Sequence, residues 1–337
     1  MIGAAVLGMG FMGATHTRAY LAAAAAGLPC RLVAVSDPDP ARLSGAAAGA
    51  GNLGATSAEQ LFDPAAVRRY QDPDELFADA AVQLVSICTY TDSHVSLAAK
   101  ALKAGKHVLV EKPVSLDPEE IARLESAAAS AGRLCMPAMC MRFWPGWDWL
   151  YDRIRDRSLG VLRSISLTRL GSGPSWASEF YRDVARSGGA LVDLHIHDAD
   201  FACWCFGRPN AVSSAGDEMH VTTHYHFTSG PNHVVAEGAW DLAPASGFRM
   251  RYLANFEQAT AEFDISRTPW LRLHRAAGSE DIALLQGTGY DGEIRHLVSN
   301  ISAGSSALRA TLADAALVAR VLEAERRSQR TRQPVEV

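Results

Sequence analysis

The first third of the chain alternates between short apolar runs and longer segments with helical periodicity. Four runs have the continuous apolar and β-branched composition of strands buried on both faces: residues 3–8, 30–37, 82–89 and 107–111. Residues 92–104 have the signals of a helix, with Asp92 or Ser93 as candidate N-cap and Gly105 after the last turn. Strands that alternate with helices in this way predict a doubly wound parallel sheet.

After residues 133–143 the pattern changes, and strand-like runs follow one another directly. These runs are residues 161–170, 219–229, 232–241, 248–257 and 259–265. Their succession predicts a second domain with an antiparallel sheet and helices on one face. We place the two domains at residues 1–120 and 121–337, and the final predicted helix, residues 311–327, fits packing against either one.

Composition restricts the class of protein. The 337 residues are 48% hydrophobic and 20% charged, an ordinary balance for two packed globular domains, and the net charge of −5 gives no indication of nucleic-acid or membrane binding. The alanine-rich run at residues 20–27 is far shorter than the roughly 20 residues of a membrane span. The chain begins without a basic leader, and its six cysteines form no CxxC pair, so we expect a cytoplasmic protein with reduced cysteines.

The sequence GMGFMG supplies three glycines between the first predicted strand and a helix: Gly8, Gly10 and Gly13. In this position a G-x-G-x-x-G motif is typical of dinucleotide binding, because the helix N-terminus receives the phosphates. Asp37 closes the second strand, where it would accept hydrogen bonds from ribose hydroxyls and repel a 2′-phosphate, so NAD is favoured over NADP. Phe11 and Met12 lie inside the turn and join the predicted cofactor contacts. The alternative is a glycine turn that binds nothing.

Further motifs follow in a fixed order along the chain. VSICTYTDSHVSLAAKALKAGKHVLVEKP covers residues 85–113, RFWP covers residues 142–145, and GGALVDLHIHDAD covers residues 188–200. Together with the glycine motif, His16 and Asp37, they resemble the Gfo/Idh/MocA family of glucose–fructose oxidoreductases and inositol dehydrogenases. The resemblance implies an N-terminal Rossmann domain and a C-terminal α/β domain with an open, mostly antiparallel sheet.

The resemblance also implies which residues surround the nicotinamide. They follow the third and fourth strands: Thr89, Tyr90, His94, Glu111 and Lys112. Family members often hold the next Lys–Pro bond cis, which makes the bond from Lys112 to Pro113 a candidate. Tyr90 stands where the family usually has proline, so the chain departs from the family at this turn.

The segment LVDLHIHDADFACW gathers histidines and aspartates within ten residues. On a helix, Asp193, His197 and Asp200 would share one face, whereas His195 would point to the other side. The family has a D-x-x-x-H-x-x-D pattern here, which completes a site with the EKP lysine. Oxidation of a carbinol needs a base for the hydroxyl proton, and histidine suits that task. Our hypothesis makes His197 the base, Asp193 its modulator and Lys112 the group that orients the hydroxyl, with Asp200 and His195 structural.

Histidines also collect on one predicted strand. His220, His224 and His226 share a face with Thr222, and with His195 nearby they could form a zinc cluster. However, neither an HExxH nor a Cys–His motif accompanies them. A polar sheet face is the better interpretation, and we predict no metal.

Residues that select the substrate are expected on loops between residues 140 and 190 and on the sheet after residue 215. Arginine can bind hydroxyl or acid groups, and tryptophan can stack on sugar C–H surfaces. The candidates of these types are Arg142, Trp176 and Arg182.

These features predict an NAD-dependent oxidoreductase of a sugar, an inositol or a related polyol. Two alternatives remain open: an NAD-dependent glycosidase of the same fold, without net change in the cofactor, and a nucleotide sensor without catalysis. The resemblance further implies a homodimer or homotetramer that assembles through the open face of the second sheet. The expected partner is a small molecule, not nucleic acid or a membrane.

Overall fold

The computed structural model describes residues 1–46, 50–51, 54–55, 60–174 and 178–337. The chain divides into two compact units, and neither is a continuous segment. The first unit consists of Met1–Cys140 and Thr288–Ala316, and the second consists of Met141–Gly287 and Leu317–Val337. Among the described residues, no helix has both the length and the apolar character needed to cross a membrane.

The first unit contains a parallel sheet. The strands are, in chain order, β1 (Ile2–Leu7), β2 (Cys30–Ser36), β3 (Ala50–Gly51), β4 (Gly54–Ala55), β5 (Arg68–Tyr70), β6 (Leu84–Ile87), β7 (His107–Val110) and β8 (Cys135–Pro137). Six of them pair in parallel in the order β5-β2-β1-β6-β7-β8, whereas β3 and β4 pair with each other. The predicted doubly wound sheet is confirmed. The strand order reverses between β1 and β6, and open α/β sheets bind ligands at the carboxyl ends beside such a reversal.

Helices separate these strands along the chain. They are α1 (Phe11–Ala25), α2 (Pro73–Ala78), α3 (Thr91–Lys103) and α4 (Pro118–Ala131). All residues of β1 and β6 are buried, as expected for strands covered on both faces. The predicted cap of α3 at Asp92 or Ser93 was wrong, because the helix begins at Thr91 with Tyr90 as N-cap. Gly105 follows α3 with φ +76°, as its placement predicted.

The second unit contains a nine-stranded sheet. In chain order the strands are β9 (Leu162–Leu170), β10 (Ala211–Gly216), β11 (His220–His226), β12 (His233–Ala239), β13 (Arg249–Phe256), β14 (Thr260–Asp264), β15 (Leu271–Arg275), β16 (Gly278–Ile282) and β17 (Val335–Glu336). They pair in the order β16-β15-β14-β13-β9-β12-β11-β10-β17. Only the pair β9–β12 is parallel among these described strands, so the predicted mostly antiparallel sheet is confirmed.

One face of this sheet is buried and the other is more open. The residues of β13 alternate along the strand, with Met250 and Tyr252 buried and Arg249 and Arg251 exposed. The helices of the unit are α5 (Trp147–Asp156), α6 (Ser178–Arg182), α7 (Val184–Ser187), α8 (Gly189–Asp193) and α9 (Ile196–Phe206). Trp147 is fully buried, with edge-on ring contacts to Phe201, Tyr252 and Phe263. These aromatic rings connect α5 and α9 with the covered face of the sheet.

The chain then returns to the first unit through α10 (Gly289–Ala303), which packs against α1. A capping box begins α10, because Thr288 and Asp291 exchange side-chain and backbone hydrogen bonds. Helix α11 (Leu312–Thr331) belongs to the first unit up to Ala316 and to the second unit from Leu317 onward. The sequence did not decide which domain the last helix packs against, and the structure divides this helix between the two units.

Candidate functional site

The glycine turn joins the carboxyl end of β1 to the first turn of α1. Gly8 has φ +89°, which other residues rarely adopt. A Cβ atom on Gly13 would collide with the carbonyl oxygen of Gly8. Gly10 is the N-cap of α1 and has no side chain that could cap the first N–H groups of the helix. Phe11 and Met12 lie in the first turn of α1, and their contacts with a cofactor stay a prediction.

Asp37 follows β2 and is tied to the glycine turn. Its Oδ2 accepts a hydrogen bond from the Met9 N–H at 2.7 Å, and its Oδ1 accepts one from the Asp39 N–H at 2.9 Å. The carboxylate is only 3% exposed. The Arg42 Nη1 lies 3.6 Å from the Asp37 Oδ2, a neighbour that sequence reasoning missed. The Asp37 carboxylate thus stands at the carboxyl end of the sheet, after the strand that pairs with β1.

His94 connects two turns at this edge of the sheet. Its Nδ1 lies 2.8 Å from the carbonyl oxygen of Pro113, and its Nε2 lies 3.1 Å from that of Thr89. Burial lowers the pKa of His94, although the two hydrogen bonds act in the opposite direction. Tyr90 is the residue between Thr89 and the start of α3, and its side chain is exposed. His94 therefore braces the turn after β6 against the turn after β7.

Glu111 and Lys112 form the turn after β7. The Lys112 N–H donates to Glu111 Oε2 at 3.0 Å, and His16 Nε2 donates to Glu111 Oε1 at the same distance. Burial works to raise the pKa of Glu111, but the hydrogen bond and charge of His16 bring it below its usual value, with help from Lys112 and His94. The Lys112–Pro113 bond is cis, as the resemblance led us to expect. Glu111 is therefore an anion that fixes the Lys112 backbone.

In the second unit, Asp193 ends α8 and His197 lies in the first turn of α9. We expected a single helix here, but it is interrupted at Leu194 and His195. The His195 N–H donates to the Ala190 carbonyl oxygen at 2.8 Å, a π-type bond at the junction. Asp193 is half-buried and His197 is 9% exposed. Lys112 belongs to the first unit, whereas Asp193 and His197 belong to the second.

The other polar residues of this segment are held in buried pairs. Asp198 binds Arg169, and Asp200 binds Arg142 through three hydrogen bonds. His195 Nε2 lies 3.1 Å from both the Tyr225 hydroxyl and Glu325 Oε2. Burial works to lower the pKa of His195, but the charge of Glu325 raises it on balance. These pairs connect α9 to β9 and to the segment that carries Arg142, and they connect His195, the residue before α9, to β11 and α11.

The substrate candidates occupy different environments. Arg142 is 2% exposed, with its guanidinium directed to Asp200. Arg182 is exposed at the end of α6, whereas Trp176 lies outside the described residues. The structure thus places Arg142 and Arg182 on separate elements, and their roles toward a substrate stay predictions.

The histidines of β11 bind their neighbours instead of forming a compact metal-ligand set. His220 pairs with Glu237 and Asp241, and His226 Nε2 lies 2.8 Å from the Ser213 hydroxyl. Within the part of the chain that the structure describes, a different group of three residues brings atoms that could bind a metal ion within 4.8 Å of one another. It consists of His16, Glu111 and Glu293. Sequence reasoning missed Glu293, because a glutamate on an amphipathic helix usually faces water.

Two family profiles match the chain. One, described as an oxidoreductase family with an NAD-binding Rossmann fold (GFO/IDH/MocA), matches residues 2–139. The other, the GFO/IDH/MocA C-terminal domain, matches residues 147–276.

Curated relatives carry dehydrogenase names. An inositol 2-dehydrogenase of Rhizobium meliloti (strain 1021) is 29% identical over 244 residues, which cover 68% of this chain and 67% of that protein. A scyllo-inositol 2-dehydrogenase (NAD(+)) of Bacillus subtilis (strain 168) is 28% identical over 241 residues, 67% of this chain and 64% of that protein. Two uncharacterised oxidoreductases, of Rhizobium meliloti and Synechocystis sp., are 34% identical, and the chain matches only 45% and 40% of their lengths.

Solved structures match the whole chain. A levoglucosan dehydrogenase in complex with NADH and levoglucosan has a TM-score of 0.85 at 20% identity, covering 100% of this chain and 99% of that one. An oxidoreductase domain protein from Kribbella flavida has a TM-score of 0.83 at 24% identity, with the same coverage. At these identities the likeness shows a shared fold.

Proposed function

The chain belongs to the GFO/IDH/MocA oxidoreductase family, and from this premise we propose that it transfers a hydride between a nicotinamide cofactor and a carbinol carbon. The proposed substrate is a sugar, an inositol or a related polyol, a class supported by the names of the inositol dehydrogenase relatives. The observation that carries the proposal is the glycine turn before an uncapped helix, with Asp37 beside it.

The proposed cofactor is NAD. The Gly10 backbone is open to the close approach of a pyrophosphate, since the first atom that a Cβ built there would meet, outside its neighbours in the chain and helix, is the Arg42 Nη1 at 3.8 Å. Asp37 can accept hydrogen bonds from ribose hydroxyls, and its buried charge opposes a 2′-phosphate. Thr89, Tyr90, His94, Glu111 and Lys112 would then lie on the nicotinamide side of the strand-order reversal.

The proposed chemistry assigns roles to the lysine of the family's EKP motif and to the Asp–His pair of its D-x-x-x-H-x-x-D pattern. A bound nicotinamide would supply the hydride acceptor for the carbinol C–H bond. His197 takes the hydroxyl proton as base, and Asp193 stabilises the imidazolium that results. Lys112 hydrogen-bonds the hydroxyl oxygen and stabilises its developing negative charge. Glu111 supports this role because it fixes the Lys112 backbone.

The surroundings of the site lead to further proposals. Arg182 and Trp176 remain substrate candidates on the segment before α8, and Arg142 contributes by holding Asp200 and therefore α9.

The open face of the nine-stranded sheet would be covered in a homodimer or homotetramer. A cytoplasmic location is supported by Cys30, Cys88, Cys135 and Cys205, none of which is in a disulfide.

The test uses purified protein, NAD or NADP, and a panel of inositols, aldoses and amino sugars. Absorbance of the reduced nicotinamide reports net hydride transfer, and we expect it with NAD and at least one polyol. We expect His197→Ala to lower kcat by about 10²–10⁴-fold while the dissociation constant of NAD is retained. Near-normal turnover in this variant would exclude His197 as the base.

The same assay with glycosides added to the panel separates the alternatives. Release of an aglycone from a glycoside at constant NAD would indicate the glycosidase. NAD binding without either reaction across polyols and glycosides would indicate the sensor.

A further inference from the structure

Glu293 of α10 is a fully buried carboxyl group that the proposed chemistry does not use. It is 0% exposed, and neither of its oxygens has a hydrogen-bond partner among the described residues. Its Oε1 lies 3.6 Å from His16 Nε2. An ionised carboxylate without hydrogen bonds is strongly disfavoured in such surroundings, so the group requires an explanation.

His16, Glu111 and Glu293 form a compact cluster, which we call the buried trio. One ring nitrogen of His16 and one carboxyl oxygen of each glutamate all lie within 4.8 Å of one another, and each residue comes from a different element. His16 lies on α1, the helix that follows the glycine turn, and Glu111 begins the turn that carries Lys112. Glu293 lies in the early part of α10. The buried trio therefore links three elements at the cofactor edge of the first unit.

The two carboxyl groups have opposite environments. Both oxygens of Glu111 accept hydrogen bonds, whereas those of Glu293 accept none. Burial raises the pKa of Glu293 well above its ordinary value, and the charges of Glu111 and Asp291 add to this. Lys112 and His94 help to lower the pKa of Glu111. Burial raises the pKa values of the neighbouring Tyr20 and Cys88, and the charge of Glu293 adds to both shifts. Two carboxyls whose environments differ in this way divide into one acid and one anion.

We propose that Glu293 is a positioning residue, held as a neutral acid, which keeps a single negative charge on Glu111 so that this carboxylate fixes the backbone of Lys112. The inference rests on the proposed function, because it gives the orientation of Lys112 a role in hydride transfer. Ionisation of Glu293 would put a second negative charge within 4.8 Å of the first. The repulsion would then compete with the hydrogen bonds that hold Glu111 between His16 and Lys112.

The first test observes the proton directly. Infrared difference spectra at pH 7 compare the wild type with Glu293→Gln, whose amide is neutral and similar in size. Glu125→Gln is the matched control, because Glu125 is an exposed glutamate on α4 of the same unit. We expect the carbonyl stretch of a protonated carboxylic acid in the wild type and in the control, and its loss in Glu293→Gln. A spectrum that Glu293→Gln leaves unchanged would overturn the proposal.

The second test follows the effect on turnover. At pH 7 we expect Glu293→Gln to keep kcat within about threefold of the wild type, since a neutral hydrogen-bonding group is retained. Glu293→Ala should lose more of kcat than of NAD affinity. Above the pH at which the acid band of the wild type disappears, wild-type kcat should fall relative to that of Glu293→Gln. Parallel pH profiles for the two proteins would refute the positioning role.

Two further outcomes are distinguishable. If the wild type oxidises no polyol, the proposed function fails, yet the infrared comparison still tests whether Glu293 is the neutral acid. Metal analysis of the pure wild type covers the other explanation of the cluster. A divalent cation in one-to-one ratio that is lost in Glu293→Gln would overturn the proposal, because the cation would then balance both carboxylates.

Discussion

The buried pair of Arg169 and Asp198 connects α9, the helix that carries His197, to β9 of the sheet. The Asp198 carboxylate accepts two hydrogen bonds of 3.0 Å from the Arg169 guanidinium. Arg169 is 3% exposed and Asp198 is fully buried. The guanidinium also lies 5.2 Å from the centre of the Trp147 ring. Asp198→Asn removes the countercharge of this guanidinium with little change in shape.

The expected cost follows from this geometry. Opposite charges about 4 Å apart attract each other by ~4 kcal/mol at an effective dielectric constant near 20. Loss of one partner from a buried pair costs about 3–5 kcal/mol of unfolding free energy, because the other charge stays buried. With a urea m-value of about 2 kcal/mol/M, the unfolding midpoint should fall by roughly 1.5–2.5 M.

Tryptophan fluorescence is a selective assay for this effect. All seven tryptophans of the chain lie between residues 144 and 270, within the second unit. Urea titrations should therefore report the unfolding of that unit. Asp281→Asn is the matched control in the same unit, because its pair with Arg272 is exposed at the surface, and we expect no resolvable change of the midpoint.

A double-mutant cycle decides whether the pair itself is responsible. Arg169→Met replaces the guanidinium by an apolar side chain, so the double variant Arg169→Met/Asp198→Asn contains no unpaired buried charge. We expect the double variant to be more stable than Asp198→Asn alone. A midpoint for Asp198→Asn equal to that of the control, or a double variant with the sum of the two single losses, would refute this reasoning.

Two further predictions concern the cofactor turn. Gly13→Ala should weaken NAD binding by more than about tenfold, because its Cβ would collide with the Gly8 carbonyl oxygen and move the first turn of α1; calorimetric titration with NAD measures this, and unchanged affinity would contradict the geometry. Asp37→Ala should lower the ratio of kcat/KM for NAD to that for NADP by about tenfold or more, because the repulsion of a 2′-phosphate is lost while Arg42 remains. An unchanged ratio would show that Asp37 does not select the cofactor.

Local patterns were sufficient to predict much of the first unit. Each of the four predicted strands overlaps an observed one, because strands covered on both faces are almost wholly apolar. The glycine turn was also predictable, since its geometry depends on consecutive residues. The three-residue strands β5 and β8 were missed because so short a run carries no periodicity.

Features that depend on distant residues were not predictable. Glu293 and His16 lie near opposite ends of the chain, and only the packing of α10 on α1 brings them together. Glu325 reaches His195 in the same way, through α11. The interruption between α8 and α9 was missed because the periodicity of DLHIHDAD continues through it, whereas one altered backbone hydrogen bond of His195 divides the helix.

The return of the chain through α10 has a consequence for the time at which each unit can fold while a ribosome makes this protein. The first unit has all its strands when residue 140 emerges, but the residues of α10 that cover α1 arrive only with the segment up to Ala316. At about 5–20 residues per second, this interval lasts roughly 10–35 s. During it the surface of α1 that α10 later covers is exposed to chaperones or to wrong partners. The second unit is also completed late, because its edge strand β17 (Val335–Glu336), which pairs with β10, comes last in the chain. The two units are therefore completed in close succession, the first at Ala316 and the second at Val337.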